Sequence, residues 1–205
     1  MLTFIYGVMG CGKSANIIEY CKTHENVICL KLKFEREFYD VIHSRNGQNV
    51  PCINFNRETN FIKMFYLNND VFNAKTIIID EVQFCTPAQI EQLSLISNRI
   101  DVMCFGLLRN NDGRLFDSTH TLVQLCDEMY ELTRQCVCCK TRQATISRRY
   151  HRADTNKNYK LDNDTHQVPQ IVTDLTQYLS LCNKCAREHA SFTKSEIDEM
   201  LKGEM

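Results

Sequence analysis

The chain has 205 residues, a length sufficient for one core and a small appendage. Its residues are 43% hydrophobic and 24% charged, a composition typical of a globular protein. The net charge of −1 argues against general electrostatic attraction to nucleic acids or membrane surfaces, although a local basic patch is still compatible with it. No apolar run is long enough to span a bilayer, so we expect no membrane partner. The first apolar run begins almost at Met1, which leaves no room for a signal peptide and predicts a cytosolic or similarly reducing location.

Apolar runs of strand length alternate with helical segments along most of the chain. The four predicted strands that carry this pattern are residues 2–6, 27–32, 76–80 and 101–106. A shorter strand is predicted at 50–53, and the predicted helices are 13–24, about 60–67, and one that begins at Thr86 with a capping box to Gln89. Strands that alternate with helices are typical of a parallel sheet with right-handed crossovers, so the pattern predicts an α/β fold.

The composition changes after about Glu131, where the chain becomes rich in Arg, Lys, Asn and Thr. We therefore predict a domain boundary near residue 133, with a larger domain over 1–133 and a smaller one over 134–192. Residues 193–205 are predicted to hold a short C-terminal helix, with Ile197, Met200 and Leu201 on one face.

A complete P-loop follows the first predicted strand and precedes the first predicted helix, which is the context that the motif requires. It consists of Gly7, Val8, Met9, Gly10, Cys11, Gly12, Lys13 and Ser14. Its glycines let backbone N–H groups surround a phosphate, and the helix N-terminus adds a positive dipole. Lys13 is predicted to reach the β- and γ-phosphates, and the Ser14 hydroxyl is predicted to bind Mg²⁺.

The apolar strand at 76–80 ends in Asp80, which Glu81 follows directly. An apolar strand that ends in an acidic residue is the Walker B pattern, whose carboxylate binds Mg²⁺ directly or through water. Successive residues at a strand end point in different directions. One carboxylate is therefore predicted to serve the metal while the other accepts a proton from an attacking hydroxyl.

Twelve cysteines are many for this chain, and four of them form two Cys-x-x-Cys pairs. The spacing predicts a closed, structural Zn²⁺ site with tetrahedral coordination by Cys136, Cys139, Cys182 and Cys185. Cys138 leaves the first pair ambiguous, because pairing of Cys136 with Cys138 is also compatible with the sequence. Cysteines within apolar runs, such as Cys29 and Cys104, are interpreted as small buried hydrophobic residues.

Five stretches, in order along nearly the whole chain, resemble motifs of one enzyme family. They are Gly7–Ser14, Ser44–Gly47, Asp80–Phe84, Gly106–Phe116 and Tyr178–Cys185. They resemble the thymidine kinase family of the type that combines a P-loop domain with a zinc-bound loop called the lasso. The resemblance implies a RecA-like parallel sheet flanked by helices, with a small C-terminal zinc-ribbon or lasso domain, and it also implies a homotetramer.

This resemblance implies transfer of the γ-phosphate of ATP to the 5′-hydroxyl of thymidine, giving dTMP for nucleotide salvage, with Mg²⁺ bound to ATP and a structural Zn²⁺. Glu81 matches the general base of the family. The positions that match ATP and Mg²⁺ contacts are the P-loop and Asp80, Glu81, Val82 and Gln83. The positions that match substrate contacts are Met9, Phe84, Leu107, Phe116, Ile171, Val172, Thr173 and Tyr178. Arg149 aligns with a lasso arginine near the substrate.

The chain departs from the family pattern at three places. Phe34 stands where relatives have the Asp of an Asp-x-Arg motif, although Arg36 is kept. Asn111 stands where the loop after Gly106-Leu107 has a phenylalanine that contacts the base. Thr173-Asp174 replaces a Gly-Gly pair in the lasso, which restricts backbone freedom. These changes bear on substrate preference and catalytic rate more than on nucleotide binding.

Two other functions are compatible with the sequence. The first is a catalytically impaired relative that binds nucleotides and has a regulatory or interaction role. The second is a P-loop ATPase whose zinc ribbon contacts nucleic acid through Arg142, Arg148, Arg149, Arg152, Tyr150 and His151. A solvated basic rim near phosphates explains the same arginines, and the near-neutral net charge favours that explanation, so we expect small-molecule substrates and no nucleic-acid partner.

Overall fold

The computed structural model describes residues 1–33, 40–153, 158–162 and 176–202. The predictions for Phe34, Arg36, Ile171, Val172, Thr173 and Asp174 lie outside these residues. The chain divides into two compact units. The first unit comprises Met1–Tyr6, Gly12–Leu108 and Phe116–Leu132, and the second comprises Gly7–Cys11, Arg109–Leu115 and the described part of Thr133–Met205. The domain limits drawn from the sequence, which follow chain order alone, stay a prediction.

The first unit contains eight strands and five helices among its described residues. The strands are β1 (Leu2–Tyr6), β2 (Val27–Leu32), β3 (Val41–His43), β4 (Asn49–Pro51), β5 (Ile53–Phe55), β6 (Thr76–Asp80), β7 (Asp101–Gly106) and β8 (Glu128–Glu131). The helices are α1 (Lys13–Thr23), α2 (Phe61–Leu67), α3 (Asn69–Phe72), α4 (Pro87–Ile96) and α5 (Asp117–Leu125), and a 3-10 turn spans Val82–Phe84.

Six of these strands form one sheet in the order β5-β2-β6-β7-β1-β8, and every neighbouring pair is parallel. All five residues of β6 are buried, including Ile77, Ile78 and Ile79. A strand buried on both faces is expected to be continuously apolar, which is why its sequence does not alternate. The parallel sheet and its flanking helices confirm the predicted α/β class, and β7 lies between β1 and β6, as in the RecA-like arrangement that the resemblance implies.

The predicted helix at Thr86 is confirmed, with Pro87 in its first turn and both hydrogen bonds of the capping box to Gln89 present. The single strand predicted at 50–53 is wrong, because the chain changes partner at Cys52. β4 pairs antiparallel with β3, whereas β5 joins the main sheet beside β2. The edge strand β8 was not predicted, because all four of its residues are exposed and carry no apolar pattern.

The second unit contains an antiparallel sheet with strand order β11-β9-β10-β12. Its elements are β9 (Ile146–Arg152), β10 (Asn158–Leu161), β11 (Thr176–Leu181), α6 (Asn183–Glu188), β12 (Ser191–Thr193) and α7 (Lys194–Met200). Its core includes the fully buried Tyr150 and Leu179. Helix α7 begins with a capping box from Thr193 to Glu196 and buries Ile197, which confirms the predicted C-terminal helix.

Within the described part of the chain, no helix combines the length and the apolar character that crossing a membrane requires.

Candidate active site

Helix α1 begins directly after two glycines with left-handed backbones. Gly10 has φ 72° and Gly12 has φ 95°, a region that other residues adopt only with strain. Gly12 is the N-cap of α1, and no side chain among the described residues caps the helix there. The first N–H groups of a helix have no partner within it, so they are suited to bind an anion. The next residue, Lys13, is buried with 9% of its surface exposed.

Asp80 ends the buried strand β6 and is itself buried, with 3% exposed. Burial and the neighbouring charge of Glu81 raise the pKa of Asp80 to about 7, while Lys31, the backbone N–H of Glu81 and Lys13 act in the opposite direction. The Glu81 N–H donates to Asp80 Oδ1 at 3.0 Å. A buried carboxylate of this kind is stabilised by a bound cation, and oxygen ligands are those that Mg²⁺ prefers.

Glu81 has a left-handed backbone, with φ 56° and ψ 39°. This conformation costs a non-glycine residue about 1 kcal/mol or more, and it turns the chain from β6 into the 3-10 turn Val82–Phe84. The half-buried Glu81 carboxylate accepts a hydrogen bond from Gln83 Nε2. Asp80 and Glu81 therefore have different partners, one at the strand end and the other within the turn.

Two of the predicted substrate residues lie together in the first unit. The rings of Phe84 and Phe116 pack edge to face, with centroids 5.9 Å apart. Leu107, also predicted, is half-buried and donates its backbone N–H to Gln83 Oε1. Sequence reasoning missed Arg57, whose Nη1 donates to the Phe84 carbonyl at 3.3 Å, because its neighbours give no pattern that identifies it.

Met9, predicted as both a P-loop and a substrate residue, lies in the second unit, where polar side chains hold its backbone. Ser147 Oγ accepts from the Met9 N–H at 2.8 Å. The Met9 carbonyl accepts from Ser180 Oγ at 2.7 Å and from Arg134 Nη1 at 3.1 Å. None of these three residues was predicted as a site residue. Ser180 lies in the Tyr178–Cys185 stretch that resembles a family motif, whereas Ser147 and Arg134 have no motif around them. The three side chains fix the backbone at the third position of the P-loop.

Asn111, which stands where relatives have phenylalanine, binds strand β9 and the residue that follows β10. Its Oδ1 accepts from the Arg149 N–H, its Nδ2 donates to the Asp162 carbonyl at 2.5 Å, and its own carbonyl accepts from Arg148 Nη1 at 2.6 Å. Arg149 in turn forms an ion pair from Nε to Asp162 Oδ2 at 2.8 Å. Where relatives have an aromatic side chain, this chain therefore has an amide that hydrogen-bonds to Arg149 and Asp162.

The same network accounts for part of the basic cluster noted in the sequence. Arg149 is 4% exposed and Tyr150 is fully buried, so neither presents a surface to nucleic acid. Tyr178, a predicted substrate residue, is half-buried. Burial raises the pKa of Tyr178, and the charge and hydrogen bond of Arg149 oppose that shift. Arg149 is thus a buried structural cation in contact with a predicted substrate residue.

The four predicted zinc ligands lie together in the second unit. The sulfur atoms of Cys136, Cys139, Cys182 and Cys185 are all within 4.8 Å of one another. Cys138 falls outside this set and groups with Cys185 and His189 instead. The Cys185 N–H donates to Cys182 Sγ at 3.5 Å, which forms the turn of the second pair.

The donor set suits a soft divalent metal ion. Hydrogen bonds from Thr141 lower the pKa of Cys139 to about 6, which favours the thiolate that a metal binds. Four cysteine sulfurs complete a tetrahedral coordination shell. The geometry therefore fits a closed Zn²⁺ site, and the cluster of four sulfurs contains Cys139 and not Cys138.

Comparison with known proteins identifies the family. A family model described as "Thymidine kinase" matches residues 1–186. The thymidine kinase of Chromobacterium violaceum is 28% identical over 195 residues, which cover 90% of this chain and 96% of that relative. The thymidine kinase of Encephalitozoon cuniculi is 28% identical over 212 residues, covering 97% and 92%.

Among solved structures, the Bacteroides sp Pif1 complex with ADP-AlF4 overlaps with a TM-score of 0.38 and 15% identity. The overlap covers 64% of this chain and only 38% of that one, so it carries no argument about function. The family match, in contrast, extends over nearly the whole chain and includes the P-loop, the Asp80-Glu81 pair and all four clustered cysteines. This chain belongs to the thymidine kinase family of enzymes.

Proposed function

We propose that this protein transfers the γ-phosphate of ATP to the 5′-hydroxyl of thymidine, giving dTMP. The observation that carries the proposal is the Asp80-Glu81 pair at the end of β6, in the same unit as the uncapped start of α1 with Lys13. The relatives named thymidine kinases support thymidine as the acceptor.

The donor phosphates are bound, in this proposal, by the N–H groups at the start of α1 and by the Lys13 ammonium. Asp80 and Ser14 are the oxygen donors that would hold Mg²⁺, which neutralises phosphate charge when it is bound with ATP. The raised pKa of Asp80 supports this role, because a cation beside the buried carboxylate offsets the cost of its ionised form. Lys13 already acts electrostatically on Asp80.

Glu81 is the proposed general base. Its carboxylate takes the proton of the 5′-hydroxyl as the 5′-oxygen bonds to the γ-phosphorus, and the bond from that phosphorus to the β–γ bridging oxygen breaks to release ADP. The carboxylate is half-buried at the strand end and held by Gln83 Nε2. Because it lies beside Asp80, the two acids divide the metal and proton roles.

The proposed contacts to the nucleoside in the first unit come from Phe84, Phe116 and Leu107. The edge-to-face pair of Phe84 and Phe116 supplies apolar surface of the kind that holds a flat base. The roles assigned to Met9, Tyr178 and residues 171–173 stay predictions, as do the homotetramer and the cytosolic location.

We further propose that the cysteine cluster of the second unit holds one structural Zn²⁺. Its four sulfurs lie within 4.8 Å of one another, and four thiolates leave no open coordination position for catalysis.

The function is tested with purified protein, ATP, Mg²⁺ and a panel of tritiated nucleosides. We expect phosphorylation of thymidine, and a fall in kcat of about 100-fold or more in Glu81→Ala because the base is lost. The matched control is Glu91→Ala, which removes an exposed glutamate of α4 and should keep wild-type activity. If ATP binds but no nucleoside is phosphorylated, the catalytically impaired alternative replaces the proposal.

A further inference from the structure

We infer that Gln83 is a positioning residue for Glu81, because its side-chain amide ties the carboxylate to the backbone at the end of β7. This inference rests on the proposed role of Glu81 as the base. It gives Gln83 a task other than the nucleotide contact predicted from the resemblance.

The amide of Gln83 is bound at both ends. Its Oε1 accepts from the Leu107 N–H at 2.9 Å, and its Nε2 donates to Glu81 Oε2. An N–H donor can be satisfied only by the oxygen end of an amide, so Leu107 determines which way the group faces. The nitrogen end must then face the carboxylate. Gln83 is 3% exposed, which keeps water from competing for these bonds.

The surrounding chain is shaped to admit this amide. A Cβ atom on Gly106 would lie 2.4 Å from Gln83 Oε1 and 2.9 Å from Val82 Cγ1, so a side chain at this position would displace the amide. Ser118 Oγ donates to the Gln83 carbonyl at 2.7 Å and holds its main chain as well. Side chain and backbone of Gln83 are therefore fixed independently of each other.

This arrangement supplies what a general base needs. A donor on one carboxylate oxygen restricts rotation of the group, so the other oxygen is held in one direction. Glu81 sits on a left-handed backbone that does not by itself fix the side chain. The anchor at Leu107 also places the base and a residue predicted to contact the acceptor on one chain of hydrogen bonds.

The first test is the kinetics of Gln83→Met, which keeps the length of the side chain and removes both hydrogen bonds. We expect kcat for thymidine to fall about 10- to 100-fold with a much smaller change in KM, because the variant loses the orientation of the base and not the binding of the substrate. Gly106→Ala should reproduce both effects, because its methyl group displaces the amide.

The control is Gln89→Met. Gln89 is equally buried, at 2%, and also uses both ends of its amide, accepting from the Thr86 N–H and donating to the Asn56 and Thr59 carbonyls. It should lower thermal stability and leave both kcat and KM for thymidine near their wild-type values. Active protein in which Gln83→Met keeps the wild-type kcat would overturn the inference.

A second measurement does not depend on activity. In protein labelled with ¹⁵N at glutamine, the side-chain NH₂ signals of Gln83, assigned by their loss in Gln83→Met, should exchange slowly with solvent. In Glu81→Ala they should shift and exchange faster, while those of Gln89 stay the same. Unchanged Gln83 signals in Glu81→Ala refute the contact itself, whereas inactivity of the wild-type protein refutes only the proposed function.

Discussion

One aspartate in each unit shows a different environment for a carboxylate: Asp80 is buried, whereas the side chain of Asp162 is 19% exposed. Asp80 ends a strand of the first unit, where burial and the charge of Glu81 raise its pKa to about 7. Asp162 of the second unit is paired with the Arg149 guanidinium at 2.8 Å. Lys31 and Lys13 offset the desolvation of Asp80 only in part, so a bound cation would stabilise this carboxylate further, whereas removal of one partner from a close ion pair is strongly destabilising. The Asp80 carboxylate is therefore suited to bind a cation, and the pair of Arg149 and Asp162 is suited to stabilise the second unit.

The largest expected effect concerns the Zn²⁺ ion that we propose for the cysteine cluster of the second unit. Wild-type protein should contain about one zinc per chain, and Cys182→Ser should lose it. Because metal-binding energy is folding energy in such sites, we expect this variant to lose the cooperative unfolding transition of the second unit. Elemental analysis and thermal denaturation measure the two effects.

Cys138→Ser is the matched control, since Cys138 lies outside the four-sulfur set. It should keep both the zinc and the transition. Folded wild-type protein without zinc would contradict the proposed site, and loss of zinc in Cys138→Ser would reverse the choice between Cys138 and Cys139.

The next effect tests whether the charges of the second unit are structural. Arg149→Met leaves Asp162 without its buried partner and should cost about 3–5 kcal/mol of unfolding free energy, measured by urea denaturation. Adding Asp162→Asn should recover part of that loss, because the unpaired charge is removed. Arg142→Met, at an exposed arginine, is the control and should change stability little. If Arg149→Met and Arg142→Met lowered the free energy of unfolding equally, the pair of Arg149 and Asp162 would have no special role in stabilising the second unit.

The smallest expected effect is a gain in stability, not a loss, and it tests the first unit. The pKa of Asp80 in the folded protein, about 7, lies above its ordinary value of 3.8. The folded state therefore binds this proton more tightly, and the associated stability is full at acidic pH and lost as the pH rises through 7. Asp80→Asn should stabilise the metal-free protein at pH 8, by about 2–3 kcal/mol more than at pH 5, while it abolishes activity.

Denaturation of Asp80→Asn and wild type at both pH values measures this difference, and groups that titrate in both proteins cancel. Asp198→Asn, at an exposed aspartate of α7, should show no such dependence on pH. A stability gain that is the same at pH 5 and pH 8 would show that the pKa of Asp80 is not raised in the folded protein.

Parts of the fold and site could be predicted because their signals are local. The apolar run of β6 and the capping box at Thr86 and Gln89 depend on residues a few positions apart, and both are present. The division of 49–55 into β4 and β5 could not be predicted in this way. The division depends on the strands with which each half pairs, since β4 pairs with β3 and β5 pairs with β2. Nothing in the sequence of residues 49–55 indicates these two partners.

The sequence by itself determined the P-loop, the acidic pair Asp80-Glu81 and the two cysteine pairs, because each is a short pattern whose spacing reflects one chemical requirement. Only the tertiary structure decided what surrounds them. Asn111 is anchored to Asp162, 51 residues away, and Gln83 to Leu107, 24 residues away. Hydrogen bonds across such separations depend on how strands and loops pack. The residue type alone does not show whether a side-chain amide binds a nucleotide, a neighbouring strand or a catalytic carboxylate.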